Sequence, residues 1–385
     1  MRFGEIIGQQ EIQIKLMRSA QSGRVSHAQL FFGPEGSGAL ALALAYAQYL
    51  HCSEPVTDSI SGLPDSCGHC SSCMKYSKLI HPDLHFIFPV AATPQVPKNP
   101  VSRSFYEKWR EFLLATRGYG NLIDWYNHIG IDRKQGLINA EDCSEILRTL
   151  SYKSYQGGYK IMIIWMVEKL FHAAAPKILK VLEEPPDQTL FILVTESPDQ
   201  IIRTIQSRTQ FVKILPISDP DLGDALRRLG GIESGNIPDI VRMAQGNYRE
   251  ALRLANQENP DMELFERFKL WMRACFQNKA PELLDVVRET SSLGREAQKH
   301  FLIYALKIVR ESLLLDIRGD SLSRLTKAEL DFVRNFSPFV HLKNGESIVL
   351  AMEEAFQEIE RNANPNILFT SLSLRLAALL RLKAG

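Results

Sequence analysis

The sequence predicts an α/β domain built on a parallel sheet, followed by a region made only of helices. Three observations carry that reading. Five short apolar runs alternate with helical patterns up to Pro216, strand signals stop beyond it, and one glycine-rich turn joins the first apolar run to an apolar helix.

The five runs are HAQLFFGP (His27 to Pro34), DLHFIFPV (Asp83 to Val90), YKIMIIWM (Tyr159 to Met166), TLFILVTE (Thr189 to Glu196) and QFVKILP (Gln210 to Pro216). Each is bounded by Gly, Pro or charge, and their near-continuous hydrophobicity suits strands buried on both faces of a parallel sheet. Helical patterns lie between them. In NAEDCSEILRTLSYKS, Asn139 is placed to cap, with Asp142 three residues on. After Pro216 come DPDLGDALRRLG, IPDIVRMAQG and NYREALRLANQ, then long amphipathic stretches from Met262. Leu302, Leu306, Val309 and Leu313 fall on one helical stripe. The expected organisation is an α/β core over 1–216, a small helical domain over 217–259 and a larger helical domain over 260–385, with no internal repeat or low-complexity tract.

Composition limits the function classes. A chain of 385 residues is too long for one ordinary core, and two or three domains are expected. With 45% hydrophobic and 23% charged residues it reads as a soluble globular protein. A net charge of +1 argues against a protein that grips nucleic acid alone through a strongly basic face. The N-terminal MRFGEIIGQQEIQIKL lacks the pattern of a secretory signal, and no window reaches the ~18 apolar residues of a membrane span. A cytoplasmic location is expected, where clustered cysteines serve metal rather than disulfides.

One segment breaks the alternation. Phe88 to Gly130 begins Pro-rich and becomes a helix-like run carrying Trp109, Phe112, Tyr119, Trp125 and Tyr126. An insertion packed over the sheet edge is one reading, and a partner surface is the other.

The glycine-rich turn lies in LFFGPEGSGALALALAYAQYL, Leu30 to Leu50, and has the scaffold of the phosphate-binding loop G-x-x-x-x-G-K-[ST]. Gly33, Gly36 and Gly38 allow backbone amides to face an anion at a helix start. The last two positions are Ala39 and Leu40, so there is no ammonium for the phosphates and no hydroxyl for magnesium. Charge-assisted hydrogen bonds contribute roughly 1.5–3 kcal/mol each, so their loss weakens nucleotide binding by roughly two powers of ten or more. A cofactor site for ATP is therefore not expected.

Cys52, Cys67, Cys70 and Cys73 form C-x14-C-x2-C-x2-C, four thiolates able to close around a structural zinc with no open position. An iron–sulfur site would want a fourth cysteine shortly after the run, where Tyr76 and Ser77 stand instead. His51, His69 and His81 are near enough in sequence to replace a ligand, and four unliganded cysteines are the alternative. Cys143 and Cys275 stand alone as core or incidental residues.

Taken with these motifs, the strings IIGQQEIQIKLMRSAQSGRVSHAQLFFGPEGSG, CGHCSSCMKYSKLIHPDLHFI, AAAPKILKVLEEPP, SPDQIIRTIQSRTQ and AQGNYREALRL resemble the clamp-loader branch of the AAA+ ATPases, and within it the delta-prime family of bacterial DNA polymerase III. The resemblance runs from Glu5 to about Leu254 apart from the aromatic segment. It implies an AAA+ core, a helical lid and a helical C-terminal collar that joins subunits. It also implies an Asp-Glu pair after the third strand, where Trp165 and Met166 stand here and Glu168 lies two residues further on. Ser207 and Arg208 resemble the Ser-Arg-Cys signature, with Thr209 in place of Cys. In that family the arginine reaches the γ-phosphate of ATP in a neighbouring subunit, a task suited to a planar, permanent cation. Arg249 matches a lid arginine that contacts nucleotide in active relatives, and with this pocket disabled it is read as structural.

The expectation is a non-hydrolysing subunit of a polymerase holoenzyme. Its partners would be the motor subunits gamma/tau, the delta subunit, the sliding clamp and primed DNA, with no membrane. An active clamp-loader ATPase and an independent DNA-binding module are the rival readings.

Overall fold

The computed structural model describes residues 1–57, 62, 64–131, 134–151, 154–155, 158–171, 174–232, 235–256, 260–318, 325–341 and 343–382. Residues 58–61 and 63 of the cysteine-bearing segment lie outside that set. The described chain divides into two units, one of 1–131 with 135–256, the other of 132–134 with 257–385.

In the first unit, α1 (Gln10–Gln21) leads to β1 (Ala28–Phe32) and α2 (Ala39–His51). The cysteine segment follows, with a two-residue antiparallel ribbon, β2 (Val56–Thr57) and β3 (Pro64–Asp65), and the short α3 (Ser71–Ser77). Then come β4 (Leu84–Ile87), α4 (Tyr106–Thr116), α5 (Leu122–Ile129), α6 (Ala140–Ser151), β5 (Lys160–Trp165), α7 (Ala175–Glu183), β6 (Thr189–Thr195), α8 (Arg203–Gln206) and β7 (Gln210–Lys213). The unit closes with α9 (Asp219–Leu229), α10 (Ile237–Ala244) and α11 (Tyr248–Ala255), the helices of the segment expected to be the lid.

The main sheet is parallel throughout, in the order β4-β5-β6-β1-β7. Because strand side chains alternate, its continuous apolar runs supply two cores at once. Phe31, Ile163 and Ile192 join the core that holds α2, while Leu30, Ile164 and Leu193 join the core that holds α6 and α7. The expectation of burial on both faces fails at β7. It has only β1 for a neighbour, and Phe211 is exposed there. α2 is apolar almost all round, and Leu40 through Gln48 are buried, as expected of a helix covered on every side. Asn139 and Asp142 cap α6 reciprocally, each side-chain oxygen accepting the other's amide at 3.0 and 3.2 Å.

The second unit contains α12 (Pro260–Gln277), α13 (Ala280–Ser291), α14 (Arg295–Arg318), α15 (Lys327–Phe336), α16 (Gly345–Glu360) and α17 (Pro365–Leu379). Its core gathers Phe268, Trp271, Phe301, Ile308, Met352 and Phe369. The Trp271 indole donates to Ser373 Oγ at 2.8 Å. On α14 the stripe of Leu302, Leu306, Val309 and Leu313 is only part of the buried face, since Phe301, Ala305 and Ile308 are fully buried while Leu306 and Leu313 are half-buried. Among the described residues no helix is long and apolar enough to cross a membrane.

The aromatic insertion packs inward. Trp109, Phe112, Tyr119, Trp125 and Tyr126 are all buried, and Trp109 stacks on Phe88 with ring centroids 4.2 Å apart. The packing reading therefore holds, and no aromatic partner surface is presented by these five residues. Trp109→Ala is expected to cost roughly 3–5 kcal/mol of stability by emptying this cluster, measured by chemical denaturation.

Candidate functional site

The loop after β1 meets the start of α2 as the sequence suggests, with Gly38 as the N-cap in a left-handed conformation. The space in front of that loop is occupied by the protein itself. Gly33, Gly36, Gly38, Ala39 and Leu40 on one side face Gly118, Tyr119 and Gly120 of the insertion, with Trp165, Met166 and Thr195 behind. The remaining cavity is about 20 Å³. That is room for a single water and not for a nucleotide.

The glycine-rich loop and Trp165 touch the insertion or the helices α9–α11. Tyr119 lies so close over the loop that a Cβ at residue 38 would sit 2.7 Å from its ring, and its hydroxyl accepts the Ile7 amide at 3.0 Å. Burial pushes the Tyr119 phenol up to about 12, so it is neutral. A Cβ at residue 36 would lie 1.8 Å from Asn247 Oδ1 at the start of α11, and the Tyr248 amide donates to the Gly36 carbonyl at 3.1 Å. Gly36 is thus required by the lid's approach. Trp165, where the resemblance implies a carboxylate, has its ring 5.1 Å from Trp109 and 6.0 Å from Phe112.

Arg249 of α11, read from the sequence as structural, is ion-paired within the chain. Its Nε and Nη2 donate to the two carboxylate oxygens of Asp124 on α5, the latter at 2.6 Å, and Nη1 lies 3.3 Å from Glu35 in the loop. Burial opposes its charge, but these two carboxylates outweigh it and raise its pKa. Glu168 is not among the residues that line this space. It sits in the turn after β5, where Oε1 accepts the Glu196 amide at 3.4 Å and burial raises its carboxyl above the usual range. Sequence reasoning missed Tyr119, Asp124 and Glu35 as cleft residues.

Ser207 and Arg208 follow α8 near the end of α7. Arg208 is ion-paired with Glu183 of the EEPP segment, and its Nη1 donates to the Thr204 carbonyl at 2.8 Å. Its side chain remains one-third exposed. Ser207 Oγ donates to the same carbonyl at 3.2 Å, and Thr209 Oγ1 donates to the Gln206 carbonyl at 3.0 Å. Thr209 thus satisfies its hydroxyl locally.

The structure brings together Cys52, Cys67, Cys70 and Cys73, all four sulfurs lying within 4.8 Å of one another. Cys67 and Cys73 Sγ are 3.9 Å apart, close to the edge of a tetrahedron with ~2.3 Å metal–sulfur bonds. Backbone amides point at the sulfurs: Cys67 N to Cys52 at 3.3 Å, Cys70 N to Cys67 at 3.2 Å and Cys73 N to Cys70 at 3.5 Å. Although burial opposes it, the Cys73 amide and Ser53 bring the Cys70 thiol down to about 6, whereas burial pushes Cys73 up. The donor set and spacing fit a four-coordinate metal.

His51 and His81 do not join the sulfurs; with Asp83 they form a separate group in which His81 and Asp83 are buried and His51 is partly exposed. His51 Nε2 lies 2.6 Å from the Tyr159 carbonyl, which makes it a donor, and Nδ1 lies 2.7 Å from the Tyr76 hydroxyl. Both nitrogens are engaged. His69 is exposed beside Glu54. Cys143 and Cys275 are buried in separate cores. The segment is tied to the N-terminus by Asp65, whose carboxylate accepts the amides of Phe3 and Gly4 at 3.0 and 2.9 Å.

A family model described as "DNA polymerase III, delta subunit" matches residues 8–218, more than half of the chain. The chain belongs to this family of clamp-loader proteins. It is 27% identical over 245 residues to the DNA polymerase III subunit delta' of Escherichia coli strain K12, covering 64% of this chain and 59% of that protein. It is 26% identical over 255 residues to the delta' subunit of Bacillus subtilis, covering 64% and 60%. To the gamma/tau subunit of Mycobacterium tuberculosis strain H37Rv it is 25% identical over 260 residues, covering 66% of this chain and 36% of the relative. The chain thus matches about a third of the gamma/tau relative and about six-tenths of the delta' relatives. The parallel sheet with its flanking helices and the helical C-terminal region match the α/β-then-helical organisation expected from the sequence.

Proposed function

We propose that this chain is a non-hydrolysing subunit of a DNA polymerase III clamp loader, working alongside gamma/tau motor subunits and a delta subunit to place a sliding clamp on primed DNA. The observation that carries the reading is the cleft. Ala39 and Leu40 remove the phosphate and magnesium contacts, Trp165 and Met166 remove the catalytic carboxylates, and the residual cavity of about 20 Å³ admits no nucleotide. Such a subunit contributes shape through its core and its helical C-terminal region, and offers Arg208 to ATP held by a neighbour.

In this reading the Glu183 pair parks the Arg208 guanidinium until a more strongly charged acceptor arrives, since a γ-phosphate outcompetes one carboxylate. The four cysteines hold a structural zinc that fastens the N-terminal segment through Asp65. The chain's own residues do the rest, with Asp65 carrying the metal's rigidity to Phe3 and Gly4.

Calorimetric titration of the full chain with Mg–ATP tests the proposal. The expected result is no ATPase activity and binding no tighter than the millimolar range, on the order of a weak anion site. Micromolar affinity would overturn it and favour the active-ATPase reading.

A further inference from the structure

We propose that the insertion over residues 88–130 is a built-in occupant of the former nucleotide cleft, which holds the lid closed on the core without any ligand. This deepens the non-hydrolysing reading and rests on it.

Three contacts place insertion groups where the loop and lid would otherwise meet a nucleotide. The Asp124 carboxylate takes both Nε and Nη2 of Arg249, so an internal anion is held in the two-pronged manner that suits a phosphate. Tyr119 fills the mouth of the loop, its hydroxyl accepting the Ile7 amide and its ring set edge-on to Tyr248 of α11 at 5.0 Å. Gly118 lies against the first turn of α2, where a Cβ would approach the Ala41 Cα and N to 3.0 Å, so the insertion chain covers the helix start directly.

The substitutions that disable catalysis make sense as accommodation of this occupant. Trp165 replaces a carboxylate with a ring that packs on Trp109 and Phe112. Ala39 and Leu40 are small or apolar groups lining the same filled space, where a lysine would be buried against Tyr119 and Trp165 without a phosphate partner. Glu35 completes the closure from the loop side, accepting from both Asn247 Nδ2 and Arg249 Nη1 at 3.3 Å. The lid is therefore fixed by one acid from the insertion and one from the loop. The closure is supplied by the chain's own residues and needs no ligand.

Hydrogen exchange on the full chain tests the occupant. Asp124→Asn keeps a side-chain oxygen to accept the Asn121 amide at the start of α5 but discharges the clamp on Arg249, and Tyr119→Phe removes only the hydroxyl. In the double variant, exchange across α9–α11 and the first turn of α2 is expected to accelerate by roughly tenfold or more, with α12–α17 unchanged as internal reference. Arg249→Gln, which breaks the same pair from the lid side, should accelerate α9–α11 similarly. If the double variant fails to fold, this second variant decides alone. Lid exchange within twofold of wild type in folded variants, with Mg–ATP still unbound by wild type, overturns the occupant and leaves the non-hydrolysing reading standing. Micromolar Mg–ATP binding by the wild-type chain overturns both.

Discussion

Stripping the metal from the four-cysteine site is expected to unfold the N-terminal part of the first unit. In zinc-dependent peptides the ion contributes roughly 10–16 kcal/mol of apparent folding free energy, and a segment whose regular structure, among the described residues, is two two-residue strands and one seven-residue helix has little else to hold it. The consequence extends beyond the ribbon. Asp65 would lose its fixed place, releasing the amides of Phe3 and Gly4, and the same N-terminal segment supplies the Ile7 amide that anchors Tyr119. Purified protein should carry about one zinc per chain, and Cys70→Ser should lower both zinc content and thermal stability. A full complement of zinc in the Cys67→Ser/Cys70→Ser double variant would rule out this ligand set.

Arg208→Ala is expected to slow ATP hydrolysis in the reconstituted clamp loader by roughly 10³–10⁵-fold at the one adjoining pocket, because a guanidinium supplied by a neighbour meets charge developing on the transferred phosphoryl group. Pockets bordered by other subunits keep their own help, so total turnover should fall partially rather than vanish. The variant should fold and assemble normally. Its pair with Glu183 is half-exposed on the carboxylate side, and such pairs contribute about 1 kcal/mol at most. DNA-stimulated hydrolysis and clamp loading in complexes built with wild-type or variant protein supply the readout. Equal rates in fully assembled complexes would leave Arg208 as half of a local ion pair and nothing more.

The sheet was legible because its strands are short apolar runs with breakers at both ends, and parallel strands need no particular partner chemistry to announce themselves. The departures from motif at Ala39, Leu40, Trp165 and Met166 were equally plain, since they stand at fixed offsets. What fills the resulting space was not legible. Arg249 and Asp124 are 125 residues apart, and nothing local to either names the other. The aromatics of the insertion announced packing, but Tyr119 differs from Trp109 only in where the chain carries it. The same distance hid Glu183 as the partner of Arg208, although both lie in segments singled out by resemblance. At β7 the apolar run misled because a strand at the sheet edge loses cover that a central strand keeps.

Native mass spectrometry of a complex assembled from this chain, gamma/tau motor subunits and a delta subunit, in the presence of a slowly hydrolysed ATP analogue, tests the central claim most directly. The account predicts that the chain enters the complex and that, when the complex is dissociated in the gas phase, nucleotide leaves with motor subunits and never with this one. Nucleotide retained on this chain, or failure of the chain to enter the complex, would contradict it.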